Sequence, residues 1–171
     1  MCKKETFFLP FLISALTATS LHGEIAIGIL YAIDNNAKVR LLYKNVPIEC
    51  EPFGVIPLER MVPNAVVPKE CSKEIDAFYR TYPHEKAFAR EHLKMAQSYH
   101  FELIKGGCIL YANGEETYSE MLLSHGIAVV DARFDNVEWN ARLARAQKGA
   151  ENQQIGLSTT LIRKFCIKEE K

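Results

Sequence analysis

No stretch of the 171 residues stays apolar for the ~18–20 positions that a membrane-crossing helix needs. Charge of one sign is equally lacking, since 21 Lys and Arg face 21 Asp and Glu. This balance excludes a protein that holds nucleic acid by net charge alone. With 9 Gly and 7 Pro among 48% apolar residues, there is no collagen-like, linker-like or disordered bias. No two cysteines stand at C-x-x-C spacing, which argues against a structural zinc site. No glycine-rich phosphate loop opens a helix, and no internal repeat is visible. What remains is ordinary globular composition, enough for one domain with its own core and too short for two.

The first 23 residues read as a secretory signal peptide. Lys3 and Lys4 form a basic start, Phe7–Leu16 an apolar segment too short to span a bilayer, and small residues follow. Cleavage after Ser20 or after Gly23 is expected, the first fitting the small-x-small rule better. A buried N-terminal helix is the competing reading, opposed by Pro10 and the basic start. Cleavage leaves a domain of about 150 residues with a net charge of −1, because Lys3, Lys4 and Glu5 are removed. Cys50, Cys71, Cys108 and Cys166 remain after cleavage. An even number in an exported chain points to disulfides with three possible pairings, or to one disulfide and two buried thiols.

Along residues 24–158 the pattern alternates between strand-like and helix-like runs. EIAIGILYAI and AKVRLLYK flank Asp34-Asn35-Asn36 and predict a hairpin. Asn45-Val46-Pro47 predicts a second turn. The run that follows carries Pro52 and Pro57, so it can form only an edge or interrupted strand. Residues 61–83 hold Pro63, Pro68 and Pro83 and read as an irregular excursion with a short helical piece at Cys71–Arg80. His84–Ser98 predicts one amphipathic helix, with Ala87, Phe88, Glu91 and Met95 on adjoining turns. Tyr99–Ile104 and Cys108–Tyr111 predict strands around Lys105-Gly106-Gly107, and Asn113-Gly114 another turn. A helix over Tyr118–Ser124 should stop at Gly126, followed by a strand at Ile127–Val130. A long helix should begin at Asp135 with Glu138 completing a capping box, and bury Trp139, Leu143, Ala146 and Ala150. Residues 159–171 read as a charged tail, pinned if Cys166 is bridged. The whole predicts an α+β fold, a small curved sheet capped by helices.

Residues 108–157 resemble the staphylococcal-nuclease-like (thermonuclease) family through Glu120, Leu122, Gly126 and Ala128, and then Leu143, Ala146, Ala150 and Gly156, with Leu157 where that family has Trp. AIDNNAKVRLLYKNVPIE is similar to the family's first hairpin. The resemblance implies a five-stranded OB-type β-barrel with about three helices, interrupted by an unusual insertion at about 61–83. It also implies a calcium-dependent nuclease site, in which carboxylates hold Ca²⁺, a Glu orients water and two Arg neutralise phosphate charge.

Carried over residue by residue, that site is degenerate. One calcium carboxylate position becomes Asn36 and the second Ile56, while the first Arg becomes Glu51. The final Glu survives as Glu59, and Lys105 is the nearest stand-in for the second Arg, without its bidentate fork. The alternative register, with Arg40-Leu41-Leu42 on the Arg-Leu motif, puts Asn45 and Ile48 where acids belong. The resemblance therefore implies an exported, catalytically degenerate module that binds or braces another envelope or secreted protein and needs no cofactor. A weakly active nuclease using Glu59 and Lys105 with Ca²⁺ is the alternative. A further alternative is a non-hydrolytic nucleic-acid-binding OB domain using Lys38, Arg40, Tyr43 and Lys44. His84, His92 and His100 recur every eight residues and drift around a helix, so they are expected on a solvated face rather than as metal ligands.

Overall fold

The computed structural model describes residues 24–105, 107–158 and 160–167; the expected signal segment, Gly106 and residues 168–171 lie outside them. Strand β1 (Ala26–Asn35) turns through Asn36 and Ala37 into β2 (Lys38–Tyr43), the Asn35 side chain accepting a hydrogen bond from the Ala37 N–H at 2.8 Å. Lys44 and Asn45, both at positive φ, make the two-residue turn into β3 (Val46–Cys50). The proline-bearing run then breaks as expected. It gives edge strand β3, short strand β4 (Val55–Pro57) and helix α1 (Leu58–Met61).

A 3-10 turn at Val62–Asn64 leads to helices α2 (Pro68–Thr81), α3 (Pro83–Lys86) and α4 (Phe88–His92). Strands β5 (Ser98–Ile104), β6 (Gly107–Asn113) and β7 (Glu116–Thr117) follow, then α5 (Tyr118–Ser124), β8 (Ala128–Val130), α6 (Val137–Gln153) and α7 (Thr160–Cys166). Six strands form one antiparallel sheet in the order β3-β2-β1-β5-β6-β7, and β4 pairs with β8 in a second, two-stranded sheet. Among the described residues the fold is α+β, with six strands in the main sheet where five were expected and seven α-helices where about three were.

The two ends of the strand run 3-2-1-5-6 approach one another. Cys108 N–H donates to Glu51 O at 2.9 Å, Pro52 and Cys108 form a parallel bridge, and the Cys50–Cys108 disulfide links the two strands. The second disulfide, Cys71–Cys166, ties α7 to α2. Of the three possible pairings the chain adopts 50–108 with 71–166, and no free-thiol pair is left. One core joins Leu30, Val39 and Leu41 of the hairpin to Phe101 and Leu110, and to Leu58, Phe88, Leu122 and Leu143 of the helices.

Four expectations are corrected. The single helix over His84–Ser98 is two short helices that end at His92, after which the chain runs through a turn with Ala96 at φ 60° into β5. Met95 is therefore 52% exposed rather than on a buried stripe. The excursion at 61–83 holds the full helix α2, started by Pro68 at a position where a proline costs no hydrogen bond. The C-terminal tail includes a helix, α7. Finally, α6 is capped by Asn136, whose Oδ1 accepts from the Trp139 N–H at 3.2 Å, and not by Asp135.

The capping box belongs instead to α5. Thr117 Oγ1 accepts from Glu120 N–H, and Glu120 accepts from Thr117 N–H at 2.9 Å. Gly126, at φ +65°, ends this region as predicted, and a Cβ there would stand 2.5 Å from Ile155 O. Leu157 N–H donates to Gly126 O at 2.7 Å, so the close approach locks the end of α6 against α5.

Candidate functional site

Asn36 sits at the β1–β2 turn with no exposed surface, although a turn asparagine is ordinarily solvated. Its amide bridges two helices. Nδ2 donates to Glu85 O at 2.8 Å and Oδ1 accepts from Ala89 N–H at 2.9 Å. Glu85 O and Ala89 N–H are the i, i+4 pair that would bond each other in an uninterrupted helix. The side chain of Asn36 is thus inserted into the helical ladder, and this is why the periodic segment from His84 breaks at Ala87. Tyr118 on α5 donates its hydroxyl to Asn36 O at 3.0 Å. Burial pushes the Tyr118 hydroxyl well above its ordinary pKa, with the Glu59 charge adding to it.

Glu59, on α1, lines a depression of about 310 Å³ together with Asp34, Asn36, Tyr79, Lys86 and Arg90. Tyr79 of α2 donates its hydroxyl to Glu59 Oε1 at 3.0 Å, while Oε2 is buried without a hydrogen-bond partner. Burial pushes the Glu59 carboxyl above its ordinary value, and the hydrogen bonds around it pull less strongly the other way. Tyr79 is also raised, by burial first and by the neighbouring carboxylate second. Burial thus works against the charged form of both groups.

The other positions implied by the resemblance open elsewhere. Glu51, Ile56 and Lys105 line a wider groove of about 800 Å³ with Arg60, Asp131 and Arg133. Glu51 is ion-paired to Arg60. Asp131 accepts three hydrogen bonds from Arg133, two from the guanidinium at 2.9 and 2.8 Å and one from the backbone N–H at 3.0 Å, and these hold its carboxyl below the ordinary value. Lys105 is exposed and does not line the Glu59 depression, so the structure brings Asn36 and Glu59 together but leaves Lys105 apart from them. Among the described residues no set of three or more His, Cys, Asp or Glu is grouped as a metal ion would require.

The basic strip of the first hairpin is largely compensated within the chain. Lys38 pairs with Glu49 at 2.7 Å and Arg40 with Asp34 at 2.8 Å. Tyr43 packs edge-on against Phe101, and Lys44 lies over the Tyr43 ring. His84, His92 and His100 are exposed but lie on α3, α4 and β5 rather than on one helix. His92 stacks on Phe88 and meets His125 edge-on at 5.5 Å, a cluster formed by residues far apart in sequence.

Sequence reasoning missed Tyr79, Tyr118 and Arg142. Arg142 of α6 forks onto Glu120 with hydrogen bonds of 2.9 and 2.8 Å. Burial alone would raise Glu120, but this fork and the Thr117 cap hold it below its ordinary value. Nothing local marks these three side chains, since each acts on a partner 20 or more residues away. Among the described residues no helix is long and apolar enough to cross a membrane. No protein-family model and no curated protein sequence matches the chain.

Proposed function

We propose that the chain is an exported domain of the staphylococcal-nuclease-like type whose catalytic positions have been taken over by the fold, and that it acts as a protein-binding or structural module of the cell envelope or of a secreted assembly. One observation carries this reading: the amide of Asn36, standing at a calcium-ligand position of the resemblance, is fully engaged between Glu85 O and Ala89 N–H. A calcium ligand must present a free hard oxygen, preferably anionic. Asn36 is neutral, and its oxygen already accepts a hydrogen bond. Glu59, the surviving acid, is disfavoured in its charged form by burial, which weakens it as a holder of a cation. Glu51 adds a negative charge where a phosphate-binding guanidinium would stand.

The OB-type barrel is supported by the strand run 3-2-1-5-6 and by the bridge and disulfide between the ends of β3 and β6. Two disulfides support export, because such bonds persist in oxidising compartments. The ion pairs of Lys38 and Arg40 favour a protein partner over a polyanion. The test is to incubate the exported, disulfide-bonded protein with plasmid and single-stranded DNA in Ca²⁺, Mg²⁺ or EDTA. The proposal expects neither cleavage nor a gel shift. Metal-dependent cleavage abolished by Glu59→Gln would establish the nuclease reading instead. A salt-sensitive shift without cleavage would establish the nucleic-acid-binding one.

A further inference from the structure

The C-terminal ends of α4 and α5 bring His92 and His125 together, with ring centroids 5.5 Å apart and planes inclined at 67°. Both rings are held. His92 stacks on Phe88 at 4.0 Å and 25°, and His125 packs on the same ring at 4.5 Å, while Phe88 itself is 1% exposed. His92 Nδ1 stands 3.0 Å from Phe88 O, which can only accept, so Nδ1 carries the proton and Nε2 keeps its lone pair. His125 Nδ1 likewise faces an acceptor, Glu85 Oε1, at 3.5 Å. The second oxygen of that carboxylate is buried with no hydrogen-bond partner among the described residues. Neither imidazole is sealed from solvent, since His92 is exposed and the His125 side chain keeps 41% of its surface.

We infer that His92 and His125 form a two-imidazole site for a borderline divalent cation of the zinc and copper(II) class, each ring binding through Nε2. Spacing is the first ground. An ion ~2.1 Å from Nε2 lies ~3.2 Å from the ring centre, so two imidazoles at a tetrahedral angle have centres ~5.3 Å apart, against 5.5 Å between these rings. The hydrogen bonding is the second. Histidines that bind a metal through one nitrogen donate the other N–H to a carbonyl or a carboxylate, which orients the ring and raises its basicity. Phe88 O and Glu85 stand in those two places. Charge is the third, because a cation on Nε2 makes Nδ1–H a stronger donor to Glu85, whose buried carboxylate has no other partner. Glu85 lies on the Nδ1 side and is therefore an outer partner, in keeping with the lack of a three-residue ligand group among the described residues. Two protein ligands with water in the remaining positions make an open, exchangeable site, unlike the closed four-ligand sites of structural zinc. Imidazole suits zinc and copper, whereas calcium and magnesium take oxygen ligands. The inference is independent of the proposed function, since neither Asn36 nor Glu59 supplies a ligand.

The test is calorimetric titration of ZnCl₂ into the untagged, exported, disulfide-bonded protein at neutral to slightly alkaline pH, with and without excess CaCl₂. The native chain is expected to take up one Zn²⁺ saturably, undisturbed by Ca²⁺. His92→Gln and His125→Gln should each weaken uptake by about 10-fold or more, and Glu85→Gln, which removes only the outer charge, by about 10-fold. His100→Gln, at an exposed position on β5, should leave it unchanged. Long-range ¹H–¹⁵N spectra of the native, metal-free protein give a readout that no substitution disturbs. They should show the Nδ1–H tautomer for His92 and His125, and Zn²⁺ should shift Nε2 of both. The inference is overturned by the absence of Zn²⁺ uptake up to millimolar concentration, or by uptake undiminished in both histidine variants. Displacement of the bound Zn²⁺ by Ca²⁺, or Nε2–H tautomers in the metal-free protein, would overturn it equally.

Discussion

Asn36→Ala tests the helix splice. The substitution removes two hydrogen bonds from a side chain with no exposed surface. Ala89 is buried, so its N–H loses the Asn36 acceptor, at a cost of ~1–3 kcal/mol for an orphaned buried donor. Glu85 O, on a partly exposed residue, can be rehydrated and adds at most ~1 kcal/mol. The sum, about 1–4 kcal/mol, corresponds to a fall in Tm of about 2–16 °C for a domain of this length. Urea and thermal unfolding with both disulfides intact read it directly. A loss under about 0.5 kcal/mol, with unchanged denaturant dependence, would mean that α3 and α4 simply close into one helix, and the splice would not be structural.

Glu59→Gln keeps an acceptor for Tyr79 while removing the charge. A carboxyl raised on folding contributes stability below its unfolded value of 4.5 that is lost as pH rises through the folded value. The variant should therefore be more stable than the parent at neutral pH and flatter between acid and neutral, and equal pH profiles would contradict this. Arg142→Ala should destabilise by about 1 kcal/mol, since the fork onto Glu120 is partly exposed, and should make stability less dependent on pH below 4.5. Replacing Cys50 and Cys108 together by Ala should cost about 4 kcal/mol for a loop of 58 residues, and a loss under 1 kcal/mol would deny that the bond restrains the unfolded chain.

The sequence was most legible where structure is set locally. Helix α5 and its Gly126 stop, the Asn113-Gly114 turn and the proline-interrupted third run each carry their signal within a few residues. It was least legible where a distant group intervenes. The periodicity of residues 84–98 favours one helix, and only Asn36, about 50 residues earlier, diverts the bond that would continue it. Helix α2 was shortened by its prolines, although Pro68 starts it and Pro83 follows its end. Helix α7 was hidden by its charge and is tied down by a disulfide whose pairing no spacing could reveal. Asn36 and Glu59 could be singled out through the resemblance. Tyr79 and Tyr118, which determine what those two residues do, could not, because long-range packing brings them there.

The claim at the centre of the account is that the Asn36–Glu59 position serves the fold and holds no cation. Thermal unfolding of the native protein in millimolar CaCl₂ and in EDTA tests it most directly, because an ion that binds only the folded state must stabilise it, by ~2.7 kcal/mol at 100 times its Kd. The account predicts the same Tm in both. A calcium-dependent rise of several degrees that disappears in Glu59→Gln would contradict it.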